Sequence, residues 1–230
     1  MTTPSDPTSP SDRRERQRAF WHRTYAEDPA FFGDDESDFA RFCGPILRSE
    51  ARMVEIVELG CGYGRDTRFL ASLGFHVRGV DLTRGGIGPR EAGDASWAIV
   101  EADGLSFLRR QQPGSLDAIY SNLLLNMDFT EEEHRAWFSA IRAALRQGGL
   151  HLYSVRSTSD PWYGRGRPMG PDTFDPSPHG ITMHFFSRDY ADRLARDGFT
   201  AVTRVERDEG AGEFPVVLWY IVDRRDGPGP

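Results

Sequence analysis

Lysine is absent from this 230-residue sequence, and all 28 basic residues are arginine. Arginine stays protonated and does not condense with carbonyls, so Schiff-base chemistry and a lysine general base are excluded. Cysteine is scarce as well. Cys43 and Cys61 cannot make a disulfide framework. No apolar stretch approaches the roughly 18 residues that a membrane-spanning helix needs. Met1 to Asp12 is rich in Pro, Ser, Thr and Asp with no apolar core, so it reads as a disordered start and not as a signal peptide. Basic excess is also missing, because the net charge is −7, whereas nucleic-acid partners are usually met by a basic surface. The expectation is a cytoplasmic, soluble monomer or homodimer that engages neither membrane nor nucleic acid. His151 and His179 show no metal-ligand spacing with other donors, so no metal is expected.

What is present is enough for one large domain over residues 13–230. Hydrophobic residues make up 38% and aromatics 12% of the chain, a composition that can fill a sizeable core. Arg13 to Glu27 reads as a helix with Trp21, His22 and Tyr25 on one face. A second helical stretch runs from Ser37 to Ala51, and residues 13–52 together form a candidate lid. Strands are expected at Val54 to Leu59, Val77 to Leu82, Trp97 to Ala102, Leu116 to Ser121 and Leu150 to Val155. Helices at Arg65 to Leu73, Leu105 to Arg110 and Thr130 to Arg146 connect them, the last opened by a Thr130-Glu133 capping box and stopped by Gly148-Gly149. Ser187 caps a further helix, and strands at Thr200 to Glu206 and Val216 to Val222 close the chain as an antiparallel hairpin. The alternation predicts an α/β fold: a doubly wound, seven-stranded, mostly parallel sheet with that hairpin at one edge. Residues 157–183 form a long Pro/Gly-rich loop that suits a substrate cover.

Three signals fall at strand ends, where open α/β sheets bind ligands. Gly60-Cys61-Gly62-Tyr63-Gly64 follows the first strand, and its glycines permit a sharp turn and close approach to a ligand. A nicotinamide enzyme needs a small third residue in G-x-G-x-x-G/A, and here that position is Arg65. Asp81, 21 residues beyond Gly60, can accept both hydroxyls of a ribose. Asp103-Gly104 closes the third strand, where a carboxylate and a backbone N–H can meet an adenine edge, although Asp103 equally suits a helix N-cap.

The run Glu58 to Thr83, ELGCGYGRDTRFLASLGFHVRGVDLT, resembles the cofactor core of class I S-adenosylmethionine-dependent methyltransferases. It is similar in particular to those of type 11/12 and the tellurite-resistance-like group. The resemblance implies a Rossmann-like fold and S-adenosyl-L-methionine held by Glu58, Gly60, Cys61, Gly62, Gly64, Asp81, Leu82, Asp103, Gly104 and Asn122. One departure is Thr83 to Pro89, a loop where that family usually has a helix. The strand-four end Ser121-Asn122-Leu123-Leu124 lacks the Asn/Asp-Pro-Pro-aromatic signature of amide and nucleobase methylation. A small-molecule acceptor follows, with secondary-metabolite tailoring as the leading role. A thiol or metalloid detoxifying methyltransferase and a non-catalytic binding module are the alternatives. For an acceptor that arrives protonated, His184, Tyr25 and His22 are the candidate catalytic bases.

Overall fold

A computed structural model describes residues 9–50, 54–83, 96–175, 181–209 and 215–227. Its main sheet has seven strands: β1 (Glu55–Leu59), β2 (His76–Asp81), β3 (Trp97–Glu101), β4 (Leu116–Asn122), β5 (Leu145–Arg156), β9 (Phe199–Asp208) and β10 (Val217–Arg225). They lie in the order β3-β2-β1-β4-β5-β10-β9. The pairings from β3 through β5 are parallel, while β10 runs antiparallel to both neighbours. This is the expected mostly parallel sheet with an antiparallel C-terminal pair at one edge.

Side chains alternate across each strand, and two helical layers take up the two faces. Helices α4 (Gly104–Arg109), α5 (Glu131–Ala144) and α6 (Arg188–Ala195) cover Val57, Leu59, Ile119, Tyr153 and Val155. On the other face α2 (Asp38–Ser49) and α3 (Arg65–Ser72) cover Ile56, Val77, Tyr120, Leu152 and Tyr220. Each fully buried aliphatic or aromatic side chain of this kind contributes about 1.5–3 kcal/mol, so the two clusters carry the fold. The helices start as their sequences dictate. Ser37, Asp103 and Ser187 cap α2, α4 and α6, and Thr130 with Glu133 closes a reciprocal capping box on α5.

Three expectations need correction. Helix α1 (Pro10–Glu27) begins with its N-cap at Ser9, so residues 9–12 are helical or capping and not part of a disordered start; residues 1–8 lie outside the described residues. Helix α5 stops at Ala144 because Leu145 is already extended and pairs with Leu116, so β pairing ends the helix before Gly148-Gly149. The 157–183 stretch is not irregular throughout. It folds into β6 (Arg167–Gly170) and β7 (Thr173–Asp175), which pair with β8 (Met183–His184) in a small second sheet. The Thr83 to Pro89 departure falls mostly outside the described residues, as does His179. Among the described residues no helix is long and apolar enough to cross a membrane.

His151 on β5 is fully buried and stacks on Tyr153 with ring centroids 4.4 Å apart. Burial first, and the Arg204 cation second, push its pKa down to about 3. A depressed base lets the unfolded chain bind a proton that the folded chain refuses, so this residue's stabilising effect is intact above about pH 6.5 and is lost as pH falls towards 3. His151→Phe should therefore gain stability relative to the wild type by about 1.4 kcal/mol for each pH unit between about 6.5 and 3. Urea denaturation of both proteins at several pH values checks this, and a pH-independent difference would contradict it.

Candidate active site

The chain runs β1-β2-β3 outward in one direction and returns to lay β4 on the other side of β1. The strand order therefore reverses at β1/β4, the point where open α/β sheets bind ligands. A cavity of about 910 Å³ opens there. Its floor is made by the carboxyl ends of the strands: Glu58 and Gly60 after β1, Asp81 and Leu82 at β2, Asp103 and Gly104 after β3, and Asn122 to Leu124 at β4. Its roof is α1, which supplies Gln17, Phe20, Trp21 and Tyr25, and its side wall includes Met127, Trp162, Ile181 and Met183.

The glycine loop has the conformation its composition suggests. Gly62 lies at φ 53, and a Cβ there would stand 2.8 Å from the Tyr25 hydroxyl. Gly64, at φ 81, is the N-cap of α3 and leaves that helix without a side-chain cap, so its first N–H groups are suited to an anionic group. Asp81 braces the loop: Oδ2 accepts the Gly62 N–H at 2.9 Å and Oδ1 accepts the Thr83 N–H at 3.0 Å. The Thr83 hydroxyl also donates to Oδ1, at 3.4 Å, and Oδ2 retains acceptor capacity. Burial raises the Asp81 pKa, and hydrogen bonds from the Gly62, Thr83 and Leu82 backbone and the Thr83 hydroxyl oppose that rise.

Glu58 is buried and accepts a short hydrogen bond from the Thr67 hydroxyl; burial, then the neighbouring Asp66, push its carboxyl well above the usual range. Asp66 is tied down by the Ser37 N–H and hydroxyl at 2.8 and 2.7 Å and by the Tyr120 hydroxyl at 2.7 Å. It thereby pins the start of α2 to α3. Asn122 accepts a short hydrogen bond from the Ser154 hydroxyl. The next residue, Leu123, lies at φ 59, a left-handed conformation that costs a non-glycine residue about 1–3 kcal/mol and tends to occur at functional sites.

The segment before α2 is strapped onto the glycine loop by residues the sequence reading passed over. The Tyr63 hydroxyl donates to the Gly33 carbonyl at 2.7 Å and accepts from the Phe32 N–H at 3.0 Å. Arg65 donates to the Phe32 carbonyl at 2.5 Å and lies over the Phe32 ring. Arg13 of α1 reaches Glu133 at 2.6 Å, which fastens the roof helix to the start of α5.

Of the residues singled out from sequence, Tyr25, Glu58, Gly60, Cys61, Gly62, Asp81, Leu82, Asp103, Gly104 and Asn122 line this one cavity; Gly64, His22 and His184 do not. Gly64 shapes the loop from behind. Asp103 also serves as the α4 cap, its Oδ1 accepting the Ser106 N–H at 2.8 Å. Cys61 is buried, with burial and then Glu58 raising its thiol pKa, which keeps it from being a nucleophile. Tyr25 sits against Gly62, on the loop side of the cavity; burial, then Asp81, raise its phenol pKa. It can donate a hydrogen bond there but cannot serve as a base near neutrality. His22 is exposed on α1.

His184 is the clearest correction. On β8 side chains alternate: Met183 faces the cavity, and His184 points the other way, into the core beside His134, Phe186 and Tyr190. Its Nδ1 lies 2.8 Å from the Thr173 hydroxyl, and burial lowers its pKa to about 4, not the near-neutral value expected of a base. His184→Ala should therefore cost about 1–3 kcal/mol of stability through a lost hydrogen bond and a new void. Turnover at a temperature where both proteins are folded should stay within a few-fold of wild type. Thermal denaturation alongside a rate assay checks this, and a hundredfold loss of rate in a folded variant would restore the catalytic role.

Comparison with known proteins agrees with this geometry. Residues 56–149 match a family model described as a methyltransferase domain. No curated protein matches the sequence. Among solved structures, a Burkholderia thailandensis 1,6-didemethyltoxoflavin-N1-methyltransferase, with bound 1,6-didemethyltoxoflavin and S-adenosylhomocysteine, superposes at a TM-score of 0.72. It is 18% identical, over 99% of this chain and 94% of that one. An S-adenosylmethionine-dependent methyltransferase from Anabaena variabilis gives 0.69 at 15% identity, over 92% and 94%. The magnesium protoporphyrin IX methyltransferase of Synechocystis, with bound S-adenosylmethionine, gives 0.65 at 13% identity, over 98% and 100%. At such identities the likeness establishes the fold.

Proposed function

We propose that this chain methylates a small aromatic molecule in secondary-metabolite tailoring. Its residues 56–149 match a family model described as a methyltransferase domain, and its fold is like that of S-adenosylmethionine-dependent methyltransferases of known structure. S-adenosylmethionine is the cofactor, and the residues present fit it. The cradle at Gly62 has no room for a Cβ, the α3 N-terminus is uncapped, and Asp81 with spare acceptor capacity lines the same cavity as Asp103 and Gly104. In this reading Gly60, Gly62 and the α3 N-terminus receive the amino-acid end, Asp81 the ribose, and Asp103 with Gly104 the adenine.

When bound, S-adenosylmethionine supplies a methyl group already activated on a sulfonium. The work left to the protein is to align an acceptor and keep water out. Phe20, Trp21 and Trp162 close the space above the strand ends and offer flat apolar surfaces to a ring system. The cavity supplies no histidine among the described residues, and the Tyr25 phenol is held protonated. That pairing favours acceptors whose nucleophile arrives with a free lone pair: a ring or amine nitrogen, or a thiolate.

The observation that carries this proposal is the joining of the glycine loop and Asp81 to an aromatic chamber within one cavity. The test is release of S-adenosylhomocysteine across a panel of aromatic amines, N-heterocycles, phenols and thiols. Turnover on the nitrogen members is expected. Turnover on thiols alone would favour a detoxifying enzyme, and silence across the panel despite tight cofactor binding would favour a non-catalytic module.

A further inference from the structure

We propose that Gln17 and Asn126 form a paired amide site that selects a planar lactam, a ring carrying adjacent N–H and C=O groups, as the acceptor. The proposal rests on the methyltransferase reading and specifies its substrate class. Gln17 is 7% exposed and Asn126 1% exposed, and both line the cavity. Nε2 of Gln17 and Oδ1 of Asn126 are buried and have no hydrogen-bond partner. Native proteins pair nearly all such atoms, because a buried donor or acceptor left alone forfeits its hydration without compensation. One orphan donor and one orphan acceptor in the same chamber therefore point to a ligand that brings the complementary pair.

The surroundings narrow the class. Gln17 lies one turn before Phe20 and Trp21 on α1, and Asn126 adjoins Met127; Phe20, Trp21 and Trp162 all pack against the cluster built on Met127 and Met183. The two amides thus each adjoin, along the chain, residues of one apolar cluster that shares the cavity. Trp21, which stacks with Tyr25 at 25° between ring planes, lines the cavity with Phe20 and Trp162, an aromatic lining that suits a planar ring. A carboxylate would set its oxygens against Oδ1 of Asn126, and a purely apolar ring would leave both orphans unpaired, so each is disfavoured. A lactam gives its C=O to the donor and its N–H to the acceptor.

The test uses the full-length protein saturated with S-adenosylhomocysteine, read by quenching of tryptophan fluorescence. The probes are 2-quinolinone, its N-methyl derivative, which lacks the donor, and naphthalene, which lacks both groups. Wild type should bind 2-quinolinone at least about tenfold more tightly than the other two. In Gln17→Leu/Asn126→Leu the three affinities should converge to within about twofold. Equal affinities in the wild type, or an undiminished preference in the double variant, would overturn the proposal; should that variant not fold, the wild-type ranking alone decides. A separate titration of the wild type with S-adenosylhomocysteine distinguishes the two levels. Binding there with no lactam preference sinks only this assignment, whereas no binding sinks the methyltransferase reading and this assignment with it.

Discussion

Asp81→Ala is expected to weaken binding of S-adenosylmethionine and S-adenosylhomocysteine by about 30- to 900-fold, the equivalent of roughly 2–4 kcal/mol. Two losses combine. The side chain ends β2 inside the cavity, where an ionised carboxylate can take both ribose hydroxyls in charge-assisted bonds. It also holds the Gly62 and Thr83 N–H groups at 2.9 and 3.0 Å, so its removal frees the loop that must receive the other end of the ligand. Asp81→Asn keeps the shape but turns one acceptor into a donor and should fall between Ala and wild type. Because burial raises the Asp81 pKa, affinity should begin to fall at a higher pH than for an ordinary carboxylate as the solution is acidified. Calorimetry on a variant with wild-type circular dichroism checks this. Unchanged affinity in such a variant would show that Asp81 only braces the loop.

Deleting residues 1–27 should lower turnover by at least about 100-fold while leaving a folded protein. Helix α1 supplies Gln17, Phe20, Trp21 and Tyr25 to the cavity, yet none of its residues belongs to either of the two clusters that hold helices on the sheet. Its ties include Arg13 to Glu133 at 2.6 Å, the packing of Phe20 and Trp21 on the small Met127–Met183 cluster, and Tyr25 edge-on to Tyr63 at 5.7 Å between ring centroids. The surface bridge from Arg18 to Glu101 at 3.4 Å is too exposed to add much. A chain beginning at Ser9 keeps the helix cap and should retain full turnover. Cutting at residue 13 removes the cap and should destabilise the helix by about 1 kcal/mol. Rates and thermal melts for the three truncations check this series, and normal turnover without α1 would remove it from the active site.

The fold was legible because strand and helix alternate with clear punctuation, and because the glycine loop and Asp81 both fall directly at strand ends. Those features depend on local backbone chemistry, which a sequence carries openly. The acceptor side was less so. His184 is a candidate base by residue type, but a two-residue strand within a Pro/Gly-rich stretch offers no period from which to read a face. Gln17 carries no signal of its own because its neighbours on α1 are mostly charged, so the helix reads as a solvated one until the sheet is placed beneath it. Asn126 follows three leucines in a loop whose path is set by the left-handed Leu123, a tertiary feature with no signature in composition. Leu145 shows the same limit at a helix end, where pairing with Leu116 overrides the stop expected at Gly148.

A crystal structure of the chain with S-adenosylhomocysteine tests the central claim most directly. The account predicts one molecule per chain at the β1/β4 switch point, its ribose on Asp81, its adenine beside Asp103 and Gly104, and its sulfur facing the lobe lined by Phe20, Trp21 and Met127. A ligand with its ribose away from Asp81, or with its sulfur turned from that lobe, would contradict it.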